Sequence, residues 1–252
     1  MKIPAFFLWL GLASSICAQT NSGSWPMPDR LPGAIDGANT AAFPTPKLDW
    51  VERVRKTNAR AHENPGEIQL AFDGDSITDF FWPSDRGKEI WNARYAKYHA
   101  FNFAISGDRT EHLLWRLDSG QIDGIHPKLV VLLIGTNNLE RNTNEEIVAG
   151  IKAIVESYRK HSPDAVILLQ AIFPRGQKAS DPNRARIKEI NRAISQFGDG
   201  QHVVFIDFGD KFLSPDGSLS PEIMPDFLHP SKKGYEIWAD AIQPTIDKYL
   251  AH

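Results

Sequence analysis

The regular alternation of short apolar runs with segments of helical periodicity is the feature that most constrains the fold of this 252-residue chain. Its most apolar run, residues 129–134, is the unbroken LVVLLI, which is typical of a strand buried on both faces. The predicted strands span residues 68–72, 99–104, 129–134, 165–171 and 203–206. This spacing predicts βαβ units, and therefore an α/β fold in which helices cover both faces of a five-stranded parallel sheet.

Six segments beside these strands carry the helical pattern. They span residues 47–63, 87–97, 110–117, 143–160, 182–197 and 231–250. Thr143 and Glu146 form the sequence pattern of a capping box, in which each side chain satisfies an end N–H of the helix. Pro244 lacks an amide hydrogen, so we expect an interruption of the last helix there.

The first 18 residues have the layout of a secretory signal peptide: Lys2, an apolar run over residues 5–13, and small residues around Cys17. A buried N-terminal helix and a lipid anchor at Cys17 are the alternatives, although Ile16 stands where an anchor signal needs a small residue. Residues 19–46 are rich in Pro, Gly, Ser and Asn and predict an extended leader without regular structure. Residues 47–252 then form one domain, which we expect to be secreted to the periplasm or the medium.

Composition excludes several classes of function. The formal net charge is −3 and no block of Lys or Arg is present, which disfavours nucleic acid or an anionic membrane as partner. Cys17 is the only cysteine and would leave with the signal peptide, so thiol chemistry and disulfides are not expected. The histidines show no paired spacing of the kind that binds a metal. The sequence therefore predicts neither a metal nor another cofactor.

Polar clusters follow four of the predicted strands. Residues 73–78 read DGDSIT, residues 104–108 read AISGD, residues 135–138 read GTNN, and residues 225–230 read PDFLHP. Ligands of parallel sheets bind beyond the carboxyl ends of the strands. We therefore expect the four clusters to meet at one edge of the sheet and to form the functional site.

These clusters contain the groups that ester hydrolysis requires. Ser76 follows a strand-to-helix turn and is the candidate nucleophile, His229 the candidate base, and Asp226 the candidate group that orients the base. Gly107 offers a backbone N–H and Asn137 a side-chain amide to a developing oxyanion. The plainer alternatives are a helix-cap role for Ser76, a helix-entry role for His229, and turn roles for the other three.

The four clusters resemble the blocks of the SGNH (GDSL-type) hydrolases, with Ser76 in GDSIT, Gly107 in SGD, Asn137 in GTNN and His229 in DFLHP. The resemblance runs from about residue 68 to residue 250, and HLLWRL and FPRG are further features shared with platelet-activating-factor acetylhydrolase catalytic subunits. It implies a flavodoxin-like three-layer α/β/α sandwich. It also implies an oxyanion hole made by the N–H groups of Ser76 and Gly107 and the side chain of Asn137.

The resemblance further implies a serine esterase that removes small acyl groups, and it leaves a homodimer open. Ala104 stands where that acetylhydrolase group usually has Gly, and Ser106 lies beside the oxyanion glycine, which would reshape the acyl pocket. Phe80, Trp82 and Ser106 are candidate substrate-binding residues, with core packing as the alternative for the two aromatic rings. The expected substrate is an acetylated carbohydrate, because the acetylhydrolase subunits are cytosolic whereas this chain begins with a signal. A lysophospholipid or related lipid ester is the alternative.

Two rival functions of other classes remain at this point. Residues 68–77 also resemble the first motif of haloacid-dehalogenase-type phosphatases, in which Asp73 would be the nucleophile and Asp75 the acid/base beside Mg²⁺. That motif usually has Thr or Val where Ile77 stands, and it leaves GTNN and DFLHP unexplained. The second rival is a non-catalytic sugar-binding or scaffolding protein, which a missing triad residue would signal.

Overall fold

The computed structural model describes residues 39–250 and centres on one parallel sheet. Its strands are β1 (Leu70–Gly74), β2 (Phe101–Asn102), β3 (Leu129–Leu133), β4 (Val166–Gln170) and β5 (Val203–Ile206). The spatial order is β2-β1-β3-β4-β5, and every neighbouring pair is parallel. This is the flavodoxin-like order, so the predicted fold class is confirmed.

Helices cover both faces of the sheet, as expected. The α-helices are α1 (Val51–Ala61), α2 (Ser76–Asp79), α3 (Lys88–Arg94), α4 (Thr110–Asp118), α5 (Asn144–His161), α6 (Pro182–Ile194) and α7 (Lys232–Leu250). One hydrophobic core lies between the sheet and α4, α5 and α6, and a second lies between the sheet and α3 and α7. In β3 successive side chains alternate between the two cores, because neighbouring strand residues point to opposite faces.

The sheet differs from its prediction mainly at β2. Only two residues of the predicted strand 99–104 are in the ladder, and His99 has a left-handed backbone with φ of 49°. Beyond Asn102 the chain still follows β1, since Phe103 N donates to Phe72 O (2.8 Å) and Ile105 N donates to Gly74 O (3.2 Å). These bonds carry the chain from β2 to Ser106 and Gly107 at the carboxyl edge of β1.

The expected interruption at Pro244 is wrong, because α7 continues through this residue to Leu250. The missing amide hydrogen removes one helical bond. The helix nevertheless buries Trp238, Ile242, Ile246 and Leu250 against the second core on both sides of the proline. Burying a side chain of this size contributes about 1.5–3 kcal/mol, so the packing outweighs the lost bond.

The segment before α1 also differs from its prediction. Residues 39–46 belong to the expected extended leader, yet Thr40–Ala42 forms a 3₁₀ helix. It packs on the domain: Ala41 is buried, Thr110 Oγ1 donates to Ala41 O (2.7 Å), and Thr45 N donates to Glu111 O (3.0 Å). The predicted signal peptide and most of the predicted leader lie outside the described residues. Within residues 39–250, no helix has the length and apolar character needed to cross a membrane.

Candidate active site

The candidate nucleophile lies in the turn between β1 and α2. Gly74 has φ of 153°, and a Cβ atom there would lie 2.0 Å from Leu133 O, so only glycine fits at this position. Asp75 caps α2, with its Oδ1 accepting a hydrogen bond from Ile77 N (3.0 Å), and Ser76 is the first residue of the helix. Ser76 is only 7% exposed. The turn therefore holds the hydroxyl in one place at the carboxyl edge of the sheet.

Burial raises the pKa of Asp75 to about 7, against an opposing effect of the hydrogen bond from Ile77 N. Asp75 Oδ2 is buried and has no hydrogen-bond partner among the described residues. These contacts give Asp75 a supporting role in the nucleophile turn, since its bonded oxygen satisfies an end N–H of α2.

The loop before α7 brings His229 to Ser76. The distance between Ser76 Oγ and His229 Nε2 is 2.8 Å, and His229 Nδ1 lies 2.7 Å from Asp226 Oδ2. The other carboxylate oxygen, Asp226 Oδ1, accepts bonds from His229 N (2.7 Å) and Leu228 N (3.2 Å). The three predicted catalytic side chains thus lie in one hydrogen-bonded line, the geometry by which a serine is activated.

Asp226 is kept in the ionised form that its hydrogen bond to the His229 ring requires. Partial burial works to raise its pKa, but the hydrogen bonds from the backbone and the ring of His229 outweigh that effect and leave the pKa below its ordinary value. Asp226 therefore stays ionised in mild acid, where it can accept the Nδ1 hydrogen of His229 and fix the tautomer of the ring.

The two other oxyanion candidates lie on neighbouring loops of the same edge. Gly107 has φ of 75°, in the region that favours glycine. Asn137 follows β3, and its Nδ2 donates to Asp108 O (2.9 Å), which ties the loop after β3 to the loop after β2. An amide group carries two hydrogens, so this bond orients the group and leaves a second hydrogen for a ligand.

Asn138 and Asp108 organise these loops. Asn138 Oδ1 accepts from Thr110 N (3.0 Å) and its Nδ2 donates to Asn142 Oδ1 (3.0 Å), while Asp108 Oδ2 accepts from Arg116 Nε (2.9 Å). Burial raises the pKa of Asp108 to about 7, although the Arg116 guanidinium opposes this shift.

The structure separates the three candidate substrate-binding residues. The Phe80 ring packs on the His229 ring with centroids 5.2 Å apart, and the Arg86 guanidinium lies 5.4 Å from the Phe80 centroid. The Trp82 ring instead packs beside Trp91 at the β2 side of the molecule, with ring centroids 6.5 Å apart. This contact favours the packing alternative for Trp82.

Ser106 lies at the site, but its hydroxyl donates to the buried carboxylate of Asp79. Lys47 Nζ donates to Ser106 O (2.8 Å). Sequence reasoning missed both Lys47 and Asp79. Asp79 could have been found from the sequence, because it lies three residues after Ser76. Lys47 could not, because it is 59 positions from Ser106 and no pattern connects the two.

Asp73 does not fit the phosphatase alternative, which makes it the nucleophile. It is fully buried and points into the layer of α4 and α5. Its carboxylate accepts from Arg116 Nη2 (2.9 Å), Gln121 Nε2 (2.6 Å) and Tyr158 Oη (2.5 Å). Both carboxylate oxygens are thus engaged inside the core, where Asp73 anchors the helix layer to β1. Within residues 39–250, no group of three or more His, Cys, Asp or Glu side chains is placed to hold a metal ion.

Comparison with known proteins agrees with this geometry. Residues 72–237 match the model of the GDSL-like Lipase/Acylhydrolase family. The chain is 34% identical over 223 residues to the platelet-activating factor acetylhydrolase IB subunit alpha1 of Rattus norvegicus, covering 86% of this chain and 93% of that protein.

Two solved structures share the fold. A GDSL-like lipase from Bacteroides thetaiotaomicron aligns with a TM-score of 0.61 at 20% identity, over 78% of this chain and 97% of that one. An acetylxylan esterase from Geobacillus stearothermophilus aligns with a TM-score of 0.57 at 22% identity, over 72% of this chain and 94% of that one. The chain belongs to the GDSL-like lipase/acylhydrolase family and is a hydrolase that acts on ester bonds.

Proposed function

We propose that this protein is a secreted acetylesterase that removes acetyl groups from acetylated carbohydrate through an acyl-enzyme on Ser76. The observation that carries the catalytic part is the line from Ser76 Oγ through His229 to Asp226, with distances of 2.8 and 2.7 Å. Such a line, beside oxyanion donors at the same edge of the sheet, supports acyl transfer.

In the first half-reaction His229 Nε2 takes the hydroxyl proton while Ser76 Oγ attacks the ester carbonyl. The N–H groups of Ser76 and Gly107 and the amide of Asn137 stabilise the oxyanion. The tetrahedral intermediate then collapses, the bond to the alcohol breaks, and His229 gives its proton to the leaving oxygen. In the second half-reaction a water molecule replaces the alcohol, His229 takes its proton, and acetate leaves as Ser76 regains its hydrogen.

The polarity of the described surface supports a small acyl group. Among residues 39–250, the large hydrophobic side chains that are exposed are Phe43 and Leu48. A long acyl chain requires a contiguous apolar surface or channel to hold it. The described residues therefore offer a long acyl chain little exposed apolar surface, which supports acetyl or a similarly short group.

The alcohol is proposed to be a carbohydrate for two reasons. The sequence of the first 18 residues has the layout of a secretory signal peptide, so we expect the enzyme to meet extracellular or periplasmic substrates. The fold is also shared with an acetylxylan esterase, so it can accommodate an acetylated polysaccharide.

One observation favours a second candidate, an acetyl ester on a lipid. The sequence is 34% identical to the alpha1 subunit of a platelet-activating factor acetylhydrolase over most of both chains. Both candidates use the same nucleophile and differ only in the alcohol that leaves.

Acetate release distinguishes the candidates. Mature enzyme is incubated with acetylated xylan, with an acetylated phospholipid in mixed micelles, and with p-nitrophenyl acetate, and Ser76→Ala is the control. We expect wild type to release acetate from xylan and the variant to release none. Faster release from the phospholipid would assign the lipid alcohol, and full activity of Ser76→Ala would refute the catalytic proposal.

A further inference from the structure

The peptide between Ser106 and Gly107 is held at its carbonyl end by a lysine. Lys47 Nζ donates to Ser106 O at 2.8 Å. A peptide unit is planar and trans, so its C=O and N–H groups point in opposite directions. The N–H of this unit belongs to Gly107, the proposed oxyanion donor. Fixing the Ser106 carbonyl therefore fixes the direction of the Gly107 N–H.

A carboxylate holds the same residue from the other side. Asp79 Oδ2 accepts from Ser106 N (3.0 Å) and from the Ser106 hydroxyl, while Arg53 donates to Asp79 Oδ1. Asp79 is buried and ends α2, the short helix that Ser76 begins. The carboxylate thus links the nucleophile helix directly to the loop that carries Gly107.

Lys47 is itself held in position. It is half-buried, and its Nζ lies 5.0 Å from the centroid of the Trp50 ring. A Cβ atom on Gly107 would lie 2.5 Å from Lys47 Nζ, so the glycine makes room for the ammonium group behind the peptide. Loss of water around the group lowers the pKa of Lys47, with the Asp108 carboxylate opposing this shift.

We propose that Lys47 and Asp79 are positioning residues of the oxyanion hole. Both orient the Ser106–Gly107 peptide, and Lys47 also polarises it, so that the Gly107 N–H meets the negative charge of the transition state. This rests on the proposed function of Ser76. A charged donor on the carbonyl oxygen strengthens the hydrogen bond that the N–H of the same peptide donates. The ammonium group is at the carbonyl end of the peptide, and its positive charge also attracts an anion bound at the N–H end.

The test is Lys47→Met, with Lys47→Arg as the conservative variant and Lys56→Met as the control on α1, where Lys56 is exposed and 3.6 Å from Glu52. Turnover of p-nitrophenyl acetate is measured per active site, counted by titration with a fluorophosphonate, so that unfolded enzyme does not contribute. Loss of one oxyanion donor costs on the order of 10²–10³ in kcat, and we expect a misdirected donor to cost at least about tenfold.

A positioning role is distinguished from a merely structural one by comparing the effect on ground-state binding with the effect on transition-state stabilisation. In Lys47→Met we expect kcat to fall at least about tenfold while KM changes by less than about twofold. The inhibition constant of a trifluoromethyl ketone, whose adduct places an oxyanion in the hole, should rise by about the same factor as kcat/KM falls. Lys47→Arg should recover most of both losses, and Lys56→Met should behave as wild type.

Three outcomes distinguish this inference from the proposed function on which it rests. If Ser76→Ala is inactive but Lys47→Met keeps the wild-type kcat and inhibition constant, the positioning role is wrong and the catalytic proposal stands. A rise in KM with unchanged kcat would also overturn the positioning role, because it would place Lys47 in substrate binding. If Ser76→Ala retains activity, the catalytic proposal fails first and the positioning role fails with it.

Discussion

Replacing Asp226 by asparagine is expected to invert the tautomer of His229. Asp226 Oδ1 accepts two backbone hydrogen bonds, from Leu228 N and His229 N, whereas Oδ2 faces His229 Nδ1. In Asp226→Asn the amide oxygen must take the Oδ1 position, because an NH₂ group there would oppose two N–H donors. The NH₂ group then lies against Nδ1 and can only donate to it.

The consequence is a ring with its proton on the wrong nitrogen. When Nδ1 accepts a hydrogen bond, the proton of the neutral ring lies on Nε2, which can no longer accept the proton of Ser76. The same substitution in a serine protease triad lowers kcat by about 10⁴, which corresponds to about 5 kcal/mol of transition-state stabilisation. Asp226→Ala should lose less, since no group then enforces the wrong tautomer.

The assay is steady-state hydrolysis of p-nitrophenyl acetate, together with ¹⁵N NMR of the imidazole nitrogens assigned by comparison with a His229 variant. The side chain of Asp226 is 50% exposed, so its replacement should change the unfolding free energy by less than about 1 kcal/mol. A folded Asp226→Asn enzyme that keeps more than a tenth of the wild-type kcat, with the proton still on Nδ1, would refute the reasoning.

Three further predictions concern neighbouring residues. Asn137→Ala removes one oxyanion donor and should lower kcat by on the order of 10²–10³; a loss below tenfold in a kinetic assay would count against the assignment. Gly74→Ala places a methyl group 2.0 Å from Leu133 O at a φ of 153° and should reduce the unfolding free energy by at least about 3 kcal/mol, measured by urea denaturation. Gly66→Ala is the matched control, because nothing lies within 4 Å of its Cβ position. The pKa of Asp75 is raised to about 7 in the folded state, so the unfolded chain releases this proton at a lower pH than the folded state does. The folded state therefore loses stability as the pH rises between about 4 and 8. Asp75→Asn removes this cost, and its unfolding free energy relative to wild type should rise with pH over that window; a constant difference would contradict the shift.

Much of the fold was predictable because its central strands β1 and β3 are buried along their whole length. The predicted bounds of β3 and β5 agree closely with the structure, since continuous apolar runs leave a strand no polar face. The strand-to-helix turn at Ser76 implied the start of a helix, but α2 was not among the predicted helical segments, because its four residues are too few to show helical periodicity. Pro244 misled the prediction because local hydrogen bonding was weighed without the packing of α7.

The site was predictable to the extent that its residues follow strands. The positions of Ser76, Gly107 and Asn137 at strand ends were sufficient to expect them at one edge of the sheet. The contact between Lys47 and Ser106 joins a segment before the first strand to a loop after the second. No local pattern encodes such a contact, because it depends on how the chain before α1 packs on the finished domain.

The most direct test of the central claim is to trap the acyl-enzyme. Enzyme is mixed with p-nitrophenyl acetate, quenched in acid within the first turnovers, and analysed by intact-mass and peptide mass spectrometry. We expect one added acetyl group, located on Ser76 and absent from Ser76→Ala. An acetyl group on another residue that forms and decays at the rate of turnover, or undiminished turnover by Ser76→Ala, would contradict it.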